Sequence, residues 1–449
     1  MNDTSYVPSE KLKKAALYLV LFLCVFIPIR SILEMFTTSY VKLIPDILIL
    51  ILLAWYTLSI RFRFRFLPHD WFFLLFLAFA FFGSMFINHS GLMPYIYELR
   101  SIGIYYILYF VTRNLAFGRD ELDKITKVSQ VMAIILTVFA FIEVVSSKTL
   151  LFPVSVADDI MYVSNYPRAY SLLLNPNTFA LFINFVFFMS FFRRICYGIK
   201  TPLSVYCILG IGMILSVSRS GAISLIAGSA VIFFYLRKKY RDKVNFKKLL
   251  VSALIVLIVS GSGYGVSRLG AHLYYDAFFD ANTHNIGIIS ESLGIDGLKR
   301  FGKAFTKKEF LKSARDGRLF SIKTGLEIIQ EAPVFGTGVG TYGSAASMVY
   351  RPANTDRHDL PYPFYADNEY IKDMVETGIV GLALFMLYLF SILRYYRKDW
   401  CKIALCIMMG WFGMFYNIFE VQAGSMFFWV LLGFSPFPTT LYLPEETKE

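Results

Sequence analysis

At 449 residues, 56% hydrophobic and only 17% charged, with a mean hydropathy of +0.55, the chain has too little charge for an ordinary soluble domain, where charged residues make up about 25%. It reads as an integral membrane protein. Its formal net charge of +12 does not argue for a nucleic-acid partner, because a polytopic protein retains Lys and Arg on its cytoplasmic side.

From the N-terminus, Lys11, Lys13 and Lys14 lead into an apolar run over about 15 to 29; Pro28, Ile29 and Arg30 supply no signal-cleavage site, so an uncleaved first span is expected. Further apolar runs lie near 43 to 60, 71 to 87, 96 to 112, 129 to 145, 171 to 192, 202 to 217, 221 to 236, 249 to 266, 371 to 393, 401 to 417 and 423 to 438. They predict an all-α polytopic membrane protein of about 12 transmembrane helices, each near the length that a hydrocarbon core about 30 Å thick requires. The expected organisation is a bundle of about nine spans over 1–266, a large loop carrying amphipathic helices over 267–370, and a bundle of about three spans over 371–449. Cys24, Cys196, Cys207, Cys401 and Cys406 follow no metal or disulfide spacing, and neither a metal nor a cofactor is expected.

Loop charge sets the expected orientation. If Lys11, Lys13 and Lys14 are cytoplasmic, alternate loops should be basic, and they are: Arg61, Arg63 and Arg65; Arg113, Arg119, Lys124 and Lys127; Arg193, Arg194 and Lys200; Arg237, Lys238, Lys239, Arg241 and Lys243; Arg394, Arg397 and Lys398. Both termini are then cytoplasmic in a multi-pass plasma-membrane protein, and the 146–170 and 267–370 loops face outward. The polar oddities fall on that outer side: Arg100, Arg168 before Asn175-Pro176-Asn177, Arg219 in a short turn, Arg318 opening a loop helix, and Asp367 and Glu369 where the loop re-enters the bilayer. Leu319, Ile322, Leu326 and Ile329 recur at helical spacing and predict an apolar face on that loop helix. The basic run over 298–313 is expected to rest on the outer leaflet as an amphipathic helix.

Outward arginines suit phosphate, because guanidinium forks match its oxygens and keep their charge when partly desolvated. Lipid head groups and lipid-linked pyrophosphates are the phosphates available at that face. Gly336, Gly338 and Gly340 follow a helix and Pro333 rather than a strand, so they predict a tight turn or close packing, not a dinucleotide loop. The bland readings stand beside these: Arg100 pairs with Glu98 or snorkels to head groups, Asp367 caps the helix beginning at Asn368, and Asn175-Pro176-Asn177 shapes a helix start.

Four pieces, in order, resemble the O-antigen ligase and Wzy-type polysaccharide polymerase superfamily: Arg168 with Asn175-Pro176-Asn177; Ser218-Arg219-Ser220-Gly221; Gly317-Arg318 leading to Pro333-Val334-Phe335-Gly336-Thr337-Gly338; and Asn368-Glu369-Tyr370 leading to Glu376-Thr377-Gly378. The resemblance covers about 168 to 385. It implies metal-independent glycosyl transfer at the outer face, with an undecaprenyl-pyrophosphate-linked glycan as donor. The acceptor is a second lipid-linked repeat unit in a polymerase or a lipid core in a ligase; membrane lipid and a chain-length-regulating protein are further partners of that class. Arg219 and Arg318 would hold the pyrophosphate, supported by Arg100 and Arg168. In ligases of the family a His typically precedes the Asn of the last motif, whereas here Asp367 does; this shifts weight toward polymerase and leaves Asp367, His358 and Glu369 as candidate bases. A transporter or flippase is a third reading, disfavoured because no duplicated halves are visible.

Overall fold

The computed structural model describes residues 9–62, 64–146, 150, 168–242, 244–278, 306, 311, 313–315 and 317–438. Most of the 146–170 loop and most of the 298–313 basic run lie outside the described residues. Among the described residues nine helices come first: α1 (Glu10–Phe36), α2 (Ile44–Ser59), α3 (Pro68–Phe82), α4 (Leu92–Asn114), α5 (Arg119–Val145), α6 (Pro176–Tyr197), α7 (Leu203–Leu215), α8 (Arg219–Lys239) and α9 (Phe246–Phe278). An extramembrane-type lobe holds α10 (Arg318–Ile328), α11 (Ala345–Val349) and α12 (Ala353–Arg357), and α13 (Glu369–Tyr395), α14 (Trp400–Gly413) and α15 (Gln422–Gly433) complete the bundle.

Every apolar run of the sequence is thus a helix, but the helices are not alike. By length and composition, eight described segments suffice to cross a membrane; α7, α14 and α15 fall among the shorter apolar helices of 10–17 residues, below the roughly 20 residues a span requires. The fourth helix, α4, is 23 residues long but carries Glu98, Arg100 and Arg113. These helices depend on neighbours. In α15 every residue over 423–433 is buried, and the helix packs on α4 and α6, so its length need not match a lipid thickness. At the other extreme α9 has only 11% of its apolar window buried, against 78% for α6; Leu250, Leu254, Leu257 and Ile258 are among its exposed side chains, which suits hydrocarbon rather than water.

The two ends of the bundle differ. At one end, ion pairs join helix termini: Lys13 to Glu121 at 3.0 Å, Arg193 to Asp123 at 2.8 Å, and Arg113 to Asp70 at 3.0 Å. Arg113 also donates to the Arg65 carbonyl at 3.1 Å. Lys13, Arg113 and Arg193, drawn from three of the basic stretches, are thus held by carboxylates near the starts of α3 and α5. At the other end sit the start of α6, the start of α8 and the lobe.

The glycine stretch packs backbone against backbone on an unwound turn of α13. Thr337 N donates to Val375 O at 2.8 Å, Gly338 N to Glu376 O at 3.0 Å and Ile379 N to Pro333 O at 2.9 Å. Gly378 breaks the helix with φ 74°, and a Cβ on Gly336, itself at φ +67°, would lie 2.5 Å from Gly378 N. Only glycine tolerates both the conformation and the approach. The tight-packing reading of these glycines is the one the fold realises. The face of α10 is a correction in part: of the expected stripe Ile329 is buried and Leu319 and Ile322 are half-buried, but Leu326 is exposed, and Ser321, Thr324, Gly325 and Ile328 are buried instead. A Cβ on Gly325 would meet Ile371 at 2.6 Å, so small residues, not the leucine stripe, let α10 lie close against α13.

Candidate active site

The first half of the site is built by helix starts. Asn175 caps α6, its Oδ1 accepting from Asn177 N at 2.9 Å and Thr178 N at 3.1 Å, with Pro176 in the first turn. Asn177 then shares one oxygen between two donors, Arg168 Nη2 at 2.7 Å and Ser218 Oγ at 2.9 Å. Ser218 caps α8, accepting from Gly221 N at 3.2 Å, so Arg219 occupies the first helical position. Arg168 is buried, and its Nε donates to Ser216 O at 3.1 Å. Its chain segment is pinned from below by Glu143, which receives Tyr170 N at 3.0 Å and Ser171 N at 2.7 Å. Arg168 and the root of Arg219 are therefore neighbours.

The second half comes from α10 and the start of α13. Arg318 opens α10 and stands 3.8 Å from the Asp367 carboxylate, its guanidinium 5.7 Å over the Phe415 ring. That separation is an ion pair without a hydrogen bond, and both side chains stay about one-third exposed, at 32% and 38%. The expected cap is corrected here: Asn368, not Asp367, caps α13, its Oδ1 accepting from Ile371 N at 3.0 Å. Asn368 is held in turn by Asn417 and by the Met414 carbonyl. Asp367, at φ 52°, thus turns its carboxylate away from the helix it precedes. Burial raises its pKa above the ordinary carboxylate value, while Arg318 and Arg168 pull it back down. Asp367 is consequently within the field of arginines from both halves.

Glu369 lies two residues on and is built differently. Its Oε1 takes a hydrogen bond from Lys372 Nζ at 2.7 Å and its Oε2 one from Phe419 N at 3.1 Å, and it is buried. Lys372, itself fully buried, also contacts Glu420 at 2.7 Å, Glu98 at 3.2 Å and Asp373 at 3.4 Å. Glu420 further receives Ala345 N at 2.7 Å, tying the lobe to the bundle. This knot is buried, in contrast to the partly exposed Arg318–Asp367 pair.

The remaining sequence candidates scatter. Arg100 pairs not with Glu98 but with Asp46 at 2.7 Å, because Glu98 turns to Lys372; it also lies 4.9 Å over the Tyr97 ring. His358 lies 3.7 Å from Glu331, which also pairs with Arg357 at 2.8 Å. Arg318 and Asp367 are drawn together, and Arg168 and the root of Arg219 are neighbours in the first half, whereas Arg100 and His358 keep partners of their own and Glu369 is sealed. Sequence reasoning missed Phe415 and Tyr416, which span the two halves: Tyr416 Oη receives Asn175 Nδ2 at 2.9 Å while Phe415 lies under Arg318. The polar Asn417 and Glu420 between two apolar runs were the available signal for that turn.

Residues 204–386 match the Wzy_C family model, described as O-antigen ligase; no curated protein matches the chain. The matched segment contains Arg219, Arg318, His358, Asp367 and Glu369, with Arg168 and Asn175 before it and Tyr416 after it. Over those residues the chain is similar to the O-antigen ligase family, the family its ordered motifs resemble.

Proposed function

We propose that the protein is a polysaccharide polymerase, transferring a glycan from undecaprenyl pyrophosphate onto a second lipid-linked repeat unit at the outer face of the plasma membrane. The observation that carries this reading is the Arg318–Asp367 pair, 3.8 Å apart and partly exposed, within a site on the outer side by loop charge. In the reaction the acceptor hydroxyl attacks the anomeric carbon, and the C–O bond to pyrophosphate breaks with its electron pair left on the phosphate oxygen. Arg318, Arg219 and Arg168 stabilise that growing charge in a site of low dielectric, and Asp367 takes the hydroxyl proton. A carboxylate with a raised pKa suits this task, because a general base works best when its pKa approaches the working pH. Asp367 is favoured over Glu369, whose oxygens are occupied, and over His358, which faces Glu331.

The description of the matched family favours a second reading, transfer to a different acceptor such as a lipid core. A gel of lipid-linked glycans from cells lacking the gene and from cells carrying Arg318→Ala separates the two. Accumulated single repeat units mean polymerase; full-length lipid-linked polymer without its final acceptor means ligase. An unchanged ladder rejects both, and loss of lipid-linked glycan from the outer leaflet would return the flippase reading.

A further inference from the structure

Tyr416 stands in the turn between α14 and α15, at the seam of the two half-sites. Its hydroxyl oxygen receives Asn175 Nδ2 at 2.9 Å. With that amide donating to the oxygen, the phenol's own proton is left to point elsewhere. The ring is fixed by Tyr365, centroid 5.6 Å away, and by Phe412 at 6.2 Å. Burial first, and the Asp367 charge after it, push the phenol well above its ordinary pKa, so it remains a donor at any working pH. Its chain neighbour Phe415 lies under Arg318, and Asn175 caps the helix in which Asn177 holds Arg168. Tyr416 is therefore tied through its hydroxyl to the helix start that holds Arg168 and through the backbone to the ring that lies under Arg318.

We infer that Tyr416 is a further catalytic residue, donating a hydrogen bond from its hydroxyl to the pyrophosphate oxygen that leaves the anomeric carbon. The inference rests on the glycosyl-transfer reading above. No proton moves to the phosphate: the acceptor oxygen bonds to the anomeric carbon, its proton goes to Asp367, and the breaking C–O pair stays on the pyrophosphate oxygen. That oxygen gains charge only as the bond breaks, so the hydrogen bond strengthens in the transition state more than in the bound substrate. Asn175 then acts as a positioning residue, since its amide fixes the direction in which the phenol can donate.

The test uses the full chain in lipid vesicles with a synthetic polyprenyl-pyrophosphate disaccharide as donor and acceptor. Tyr416→Phe keeps the ring and its aromatic neighbours, so the fold should be retained; its kcat should fall about 100-fold, as for loss of one donor to a developing oxyanion, with KM little changed. Asn175→Asp keeps the cap oxygen but offers the phenol proton an acceptor, and should lower kcat alone yet add little in the Tyr416→Phe background. Tyr416→Phe with wild-type kcat, beside an inactive Arg318→Ala, would overturn the role of Tyr416 and leave the transferase reading standing. Wild-type rates for both variants would overturn both. Full additivity of Asn175→Asp and Tyr416→Phe would also sink the coupling.

Discussion

Two ionic assemblies lie within a few residues of each other on α13 and obey opposite rules. Around Lys372 one ammonium meets four carboxylates, three of them within hydrogen-bond reach, and the whole knot is buried. At Arg318 and Asp367 the charges stand 3.8 Å apart, partly open to their surroundings. A charge that is buried and surrounded has its interactions already made, and removing it leaves its partners stranded. A charge pair left loose and accessible keeps capacity for something that is not part of the chain. The first assembly fastens α4, α13 and the 417–420 turn together; the second is what that fastening holds in place. Between them stands Asn368, which caps α13 and so prevents Asp367 from being used as the cap.

The largest effect expected from breaking this contrast is on the sealed side. Lys372→Met should cost about 3–5 kcal/mol by stranding buried carboxylates, read as a large drop in thermal midpoint and loss of protein from the membrane. Arg318→Ala and Asp367→Asn should do the reverse, lowering transfer by about 100-fold or more in protein that accumulates and melts as wild type. Should Asp367→Asn unfold the protein, the contrast fails.

The pH dependence sharpens it. Because burial raises the Asp367 pKa, the acid limb of activity should lie above the value of about 3.9 of an unperturbed aspartate; rate is lost as pH falls through that raised value. Arg318 lowers the same pKa, so a less disruptive Arg318→Gln with residual activity should move the limb to higher pH. The stability sign runs the other way. A carboxyl whose folded pKa is raised contributes stability below its unfolded pKa and loses it as pH rises through the folded one, so Asp367→Asn should not lower the thermal midpoint at neutral pH. A fall there would contradict the geometry.

Smaller effects belong to residues with partners of their own. Arg100→Gln breaks an ion pair with Asp46 that is part-exposed on the arginine side, and should cost about 1 kcal/mol or less with near-normal transfer. His358→Gln should leave transfer unchanged, as measured by glycan ladder length; a dead His358→Gln would move the base from Asp367 to His358.

What the sequence disclosed follows the range of its signals. Apolar runs placed all the membrane-type helices because hydropathy acts along the chain, and Asn175-Pro176-Asn177 and the glycines announced local geometry that the fold adopts. Pairings across the bundle carry no such periodicity. Nothing in the spacing joins Arg100 to Asp46 rather than to Glu98, or Lys372 to Glu420, and a carboxylate such as Glu369 looks as available on paper as Asp367 does. The α10 stripe misled in part for a related reason: close helix contact selects small residues, so Gly325 faces α13 while Leu326 is exposed. Tyr416 was invisible because its meaning lies in Asn175, far off in sequence.

The most direct test of the account is a turnover assay of purified protein in vesicles with a polyprenyl-pyrophosphate disaccharide, comparing wild type, Arg318→Ala and Asp367→Asn. Wild type should extend chains and neither folded variant should. Extension at the wild-type rate by both would contradict it.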